Sequence, residues 1–83
     1  MNVTITCGGI ADKDTLHASI AEALDFPAWY GGNLDALMDC LTDLDETTVT
    51  LTGCDRVGFD ADGFWETFED AERENPCLTV IFE

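Results

Sequence analysis

The sequence predicts a single α/β domain over residues 1–83, with elements in the order β-α-α-α-β-α-β. Three observations carry this reading. Residues 2–7 and 47–52 alternate apolar with polar, as half-buried strands do. Leu16, Ile20 and Leu24, and later Phe64, Phe68 and Ala71, recur at helical spacing. Residues 77–82 form a nearly continuous apolar run of strand type. Strands joined through helices pair parallel, with right-handed crossovers. A chain of 83 residues supplies one modest core, and an apolar fraction of 46% is enough to fill it.

In the first strand Val3, Ile5 and Cys7 share one face, Asn2, Thr4 and Thr6 the other, and Gly8-Gly9 ends it. Asp12 caps a helix from about Lys13 to Leu24. His17 falls off the apolar stripe of that helix and reads as a solvated surface residue. Asp25-Phe26-Pro27 reads as a second cap and helix start, giving a short helical turn over Pro27–Tyr30. Asn33 caps a further helix to about Thr42, with Leu34, Leu37, Leu41 and Leu44 on its buried side.

The Thr-rich strand at 47–52 turns Val49 and Leu51 one way and its threonines the other. Asp60 or Asp62 caps the last helix, which runs to about Glu74 with Trp65 at the edge of its core stripe, and Pro76 stops it. The threonine faces imply helices mainly on one side of the sheet. The last strand, apolar on both faces, is expected to be the better buried.

Charge is the strongest compositional signal: 18 acids against 3 Lys and Arg, a formal net charge of −15. A polyanion repels nucleic acid and anionic lipid, which leaves a cationic protein as the natural partner. Acids occur on nearly every element, so the total reads as adaptation to high salt with a binding face embedded in it. Net charge alone does not locate that face.

Cys7, Cys40, Cys54 and Cys77 have no C-x-x-C spacing, and the single His17 has no Cys or His neighbour, so no metal or cofactor is expected. With no signal peptide and no long apolar run, they read as reduced thiols of a cytoplasmic protein. The segment Gly58-x-Asp60-x-Asp62-Gly63 resembles part of a calcium loop, but Gly stands at the first ligand position and no helix precedes it.

The informative stretch is 24–44, LDFPAWYGGNLDALMDCLTDL. With Leu34, Leu37 and Leu41 inward, Asp35 and Asp39 lie one helical turn apart on the outer surface, with Met38 adjoining. Like charges at that spacing weaken an isolated helix by roughly 0.2–0.5 kcal/mol. The helix N-terminus offsets this for Asp35 but not for Asp39. Aromatic residues, a methionine and paired carboxylates suit a protein-binding surface. An enzyme using the two acids as acid and base is disfavoured, because a helix surface on so small a domain offers little cleft and the sequence supplies no nucleophile–base pair.

The segment resembles the barstar family of ribonuclease inhibitors, in the pattern Pro27, Trp29, Tyr30, Gly31, Asn33, Leu34, Asp35, Ala36, Leu37, Asp39, Cys40, Leu41, Thr42. A looser likeness spans the chain, including the first strand, Leu16-His17 and the final helix and strand. The resemblance implies three parallel strands with four helices. It implies a non-catalytic inhibitor, monomeric when free, whose helix-borne carboxylates occupy the place of substrate phosphate in a secreted or toxin-type ribonuclease. On that basis Asp39 matches the deepest acid, Asp35 its neighbour and Trp29 a stacking aromatic at the rim. Gly31, Asn33 and Thr42 match positions lining the same surface. An acid of the last helix also contacts the target in the family; Asp70 aligns there, with Glu69 and Glu72 as alternatives.

The chain departs from the family pattern in Trp29 for Tyr, Met38 for an exposed Trp and Gly32 for an acid. It is also shorter before the last helix. These departures leave room for a barstar-fold immunity protein directed at a different cationic toxin.

Overall fold

Parallel pairing of three short strands organises the chain. The computed structural model describes residues 1–83. The elements are β1 (Asn2–Thr6), α1 (Lys13–Leu24), α2 (Leu34–Thr42), β2 (Thr47–Thr52), a 3₁₀ turn (Cys54–Arg56), α3 (Asp62–Glu74) and β3 (Leu78–Phe82). The sheet order is β1-β2-β3, with both pairs parallel.

The register puts Val3, Val49 and Val80 in one row, and Ile5, Leu51 and Phe82 in another, on the face that the helices cover. Thr4, Thr50 and Ile81 lie on the opposite, open face, as alternation requires. Packing is helical on one side only: α1 lies on β1, α3 on β3, and α2 packs on α3. Leu16, Ile20, Leu37, Leu41, Val49, Leu51 and Phe68 are fully buried where these layers meet.

Helix ends follow the local sequence. Asp12 Oδ1 accepts from the Thr15 amide at 2.8 Å, and Asn33 Oδ1 accepts from the Ala36 amide at 2.8 Å. Asp60 Oδ1 accepts from the Asp62 amide at 3.2 Å, but the residue in the cap position of α3 is Ala61. Where the strands β1 and β2 end, Gly53 has φ 70° and a Cβ there would stand 2.7 Å from the Gly8 backbone. Only glycine allows that approach.

The structure corrects the sequence reading in four places. There are three α-helices, not four, in the order β-α-α-β-α-β apart from the 3₁₀ turn. Pro27–Tyr30 closes a single turn, with the Tyr30 amide on the Pro27 carbonyl at 3.0 Å, before Gly31-Gly32. One hydrogen bond does not offset the cost of helix nucleation. Asp25 is the C-cap of α1, in the left-handed region at φ 55°, not the start of another helix. β3 is an edge strand, not the better-buried one, and Ile81 and Phe82 remain exposed. His17 is buried, because its ring lies between α3 and the turn before α2.

Two contacts fix α2 beside α3. At the N-terminal ends, Leu34 lies against Gly63, where a Cβ would come within 2.9 Å of Leu34 Cδ1. At the C-terminal ends, buried Asn75 donates from Nδ2 to the carbonyls of Leu41 and Leu44, both at 3.0 Å. The two helices therefore run side by side in the same direction. The Asn75 Oδ1 accepts from the Cys77 amide at 3.0 Å, tying the same point to the start of β3.

Candidate partner-binding surface

The outer face of α2 is positioned from both ends. Leu37, Cys40 and Leu41 are buried, which turns Asp35, Asp39 and Asp43 to solvent at successive i,i+4 positions. None of the three carboxylates makes an ion pair; the one salt bridge of the chain joins Arg73 to Asp70. Leu34, expected inward, is 38% exposed. It sits at the first turn, where the helix overhangs Gly63, and Cys40 takes the buried place instead.

The turn leading into α2 is anchored by Tyr30. Its hydroxyl shares a hydrogen bond with His17 Nδ1 at 2.5 Å. The His17 ring lies 4.5 Å from Phe64 and the Tyr30 ring 5.0 Å from Phe26. Burial pushes the Tyr30 hydroxyl up to about 12. Burial holds His17 below 6.5, with Lys13 acting in the same direction and Asp14 against it. A neutral pair is thus locked beneath the turn. Gly32, at φ 67°, then redirects the chain so that Asn33 can cap α2.

Of the residues singled out from sequence, Trp29 is 66% exposed, and Gly31, Asn33, Asp35 and Asp39 are exposed along one continuous turn and helix. Met38 is half-buried and packs on the core, so only part of it reaches the acidic face. The Thr42 hydroxyl bonds back to the Met38 carbonyl at 2.9 Å and the Asp39 carbonyl at 3.1 Å, so its proton is used within the helix.

On α3 the candidate acids Asp70 and Glu72 separate, and Glu69 is exposed. Gly63 faces α2, and Thr67 and Asp70 follow on the same helical stripe. Trp65 and Glu72 face β3 instead: the Trp65 ring meets Phe82, and the Glu72 carboxylate accepts from the Val80 amide at 2.7 Å. Glu72 is committed to the sheet edge, and Asp70 is the acid on the α2 flank.

Sequence reasoning missed a groove between the 25–29 turn and the C-terminal half of α2, with a volume near 200 Å³. Leu24, Phe26 and Leu44 floor it, and Trp29, Asp39 and Asp43 stand around it. The i+4 spacing from Asp39 to Asp43 was the available signal. No three His, Cys, Asp or Glu side chains converge to hold a metal ion.

Comparison with known proteins now adds a decisive observation. Residues 1–74 match the family described as barstar, the barnase inhibitor. The chain belongs to the barstar family. It is also 37% identical over 67 residues to the Bacillus subtilis (strain 168) protein named "Putative ribonuclease inhibitor YrdF", covering 74% of each chain. The three-stranded parallel sheet with its helices on one face agrees with a barstar fold. No helix of this barstar-family chain is long and apolar enough to cross a membrane. The matched region contains the whole of α2 and α3.

Proposed function

We propose that this chain is a protein inhibitor of a ribonuclease, blocking a cationic active site with the carboxylates of α2 in place of substrate phosphate. The observation that carries this is the acid row Asp35, Asp39 and Asp43, exposed on one helix face with no cation of its own. A site that binds a phosphodiester must present positive charge, and arginine takes a carboxylate through two parallel hydrogen bonds. Carboxylates fixed on a capped helix need little further ordering to meet it.

In this reading Asp39 enters deepest, Asp35 lies beside it, and Trp29 and the exposed part of Met38 exclude water around them. Gly31, Asn33 and Thr42 line the contact, and Asp70 reaches it from α3. The partner is a secreted or toxin-type ribonuclease, the inhibitor is monomeric when free, catalyses nothing and needs no cofactor. Four free thiols suit the reducing cytoplasm. If the acidity serves a high-salt cytoplasm, the Debye length falls to about 3 Å at 1 M salt, and close contacts outweigh long-range steering.

A second reading, an immunity protein for another cationic toxin, is favoured by Trp29 and by the half-buried Met38, which departs from the family's exposed Trp. The deciding experiment is RNA hydrolysis by a purified barnase-type ribonuclease titrated with this chain. Loss of activity at one-to-one stoichiometry supports the inhibitor reading. Full activity at a large excess of inhibitor contradicts it for that target class.

A further inference from the structure

We propose that the free edge of β1 takes an extended basic segment of a protein partner as a fourth strand, with one lysine or arginine side chain entering the pocket between β1 and α1.

The two edges of the sheet differ in how their backbone is satisfied. In β3 the Thr47 amide donates to the Cys77 carbonyl and the Glu83 amide to the Leu51 carbonyl, so Leu78, Val80 and Phe82 turn their backbone groups outward. The outward Leu78 amide donates to the Asn75 carbonyl at 3.0 Å, and the Val80 amide to the Glu72 carboxylate. In β1 the Thr48 amide donates to the Met1 carbonyl and the Cys7 amide to the Thr52 carbonyl, both at 2.8 Å. Asn2, Thr4 and Thr6 therefore turn their N–H and C=O outward, and nothing in the chain meets them. Edge strands are commonly blunted by charge, proline, a bulge or a covering segment. β1 reads Asn-Val-Thr-Ile-Thr, without charge or proline.

A pocket beside this edge selects the occupant. Its volume is near 290 Å³, and Thr4, Ile5, Thr6, Ser19, Glu22 and Ala23 line it. Glu22 is its only charged group and has no ion-pair partner. A strand added to β1 projects every second side chain to the α1 side. A long basic side chain there lays its methylenes along the pocket and sets its charge against Glu22. Main-chain hydrogen bonds then hold the segment, and the pocket discriminates among segments.

Other occupants fit worse. An acidic segment meets Glu22 with like charge. Pairing β1 with a second copy sets two chains of net charge −15 side by side, and none of Lys13, Arg56 and Arg73 lies on a strand that could offset it. β1 is the edge opposite β3, while α2 packs on α3, so this surface is separate from the acid row of α2 and stands whether or not that row meets a ribonuclease.

The probe is the peptide acetyl-Thr-Val-Thr-Lys-Thr-Val-Thr-amide, with a counterpart carrying glutamate for lysine, titrated into the ¹⁵N-labelled full chain. Salt at about 0.1 M keeps the Debye length near 10 Å, so distant acids contribute little. In the free chain the Thr4 and Thr6 amides should exchange with solvent faster than those of Ile5 and Cys7. The lysine peptide should shift them saturably and slow their exchange. Glu22→Gln should weaken its binding by about twofold to fivefold, as loss of an exposed ion pair does, and the glutamate peptide should bind at least that much more weakly. Thr4→Pro removes an outward donor that the β2 ladder does not use, so it should abolish the protection of Thr6 in a chain that remains folded. If that variant does not fold, Glu22→Gln and the glutamate peptide decide. Equal binding of the two peptides would overturn the proposal, as would shifts scattered over the acids of α2 and α3 with Thr4 and Thr6 still exchanging freely. Protection of Thr4 and Thr6 in the free chain that grows with protein concentration would also overturn it, by giving the edge to a second copy.

Discussion

Helices α2 and α3 lie side by side, run the same way and are both acidic, yet they use their carboxylates differently. On α3, Asp70 pairs with Arg73, and Glu72 accepts the Val80 amide at the edge of the sheet. On α2, Asp35, Asp39 and Asp43 bond to nothing in the chain, and their spacing sets like charges one turn apart. A net charge of −15 says nothing of this difference. The two helices thus differ in internal engagement of their acids, and the proposed contact surface centres on the unengaged row of α2.

The comparison is most easily broken where the two helices join. Asn75→Ala removes the donor shared by the Leu41 and Leu44 carbonyls and the acceptor of the Cys77 amide. Leaving buried groups unpaired costs about 1–3 kcal/mol each, so we expect a loss of at least 2 kcal/mol or so in urea unfolding. A smaller effect separates the acids themselves. Glu72→Ala should cost about 1–2 kcal/mol, because an edge-strand amide loses a charged acceptor. Asp43→Ala should cost nothing measurable in the same denaturation experiment, since its carboxylate has no partner. Equal losses would erase the distinction drawn between the helices.

The turn ahead of α2 gives a pH-dependent prediction. His17 is held below 6.5 by burial, so it binds its proton more weakly folded than unfolded. Its contribution to stability is therefore full above 6.5 and is lost as pH falls through its lower folded value. As the chain has one histidine, its imidazole titration by NMR is unambiguous. The midpoint should lie under 6.5.

The smallest effect is a gain. Asp39 has like charges at both i−4 and i+4, so Asp39→Asn should stabilise the free protein by about 0.4–1 kcal/mol at low salt. The gain should fade as salt screens it. The whole protein should also melt higher as salt rises from about 0.01 M, where the Debye length is about 30 Å. A flat response would argue against salt adaptation as the source of the acidity.

Most of the fold was legible because its signals are local. The Asp12 and Asn33 caps, the core stripes Leu16, Ile20, Leu24 and Phe64, Phe68, Ala71, and the strand alternation all act within a few residues. What escaped depends on tertiary contact. His17 is off its helix's stripe, yet it is buried because Tyr30 and Phe64 come to it from distant segments. The apolar run of β3 reads as better buried than the threonine-alternating run of β2, and only strand order shows that β2 is the centre and β3 an edge. Asn75 reads as a residue before proline, while its side chain binds carbonyls 31 and 34 positions away. At the candidate surface, the Asp35–Asp39 spacing was visible from sequence. The groove was not, because it needs the 25–29 turn folded against α2.

The central claim is that α2, not bulk charge, carries recognition, and one paired measurement tests it directly. Once a ribonuclease partner is in hand, titration calorimetry should compare Asp39→Ala with Glu46→Ala, an exposed acid beyond α2. Stripping one partner from a buried charge pair costs about 2–5 kcal/mol, a range that barnase–barstar measurements themselves inform. An exposed acid costs about 0–1 kcal/mol. A loss in the first range for Asp39→Ala, with Glu46→Ala in the second, is what the account predicts. Equal losses for the two variants would show a diffuse polyanion effect and contradict it.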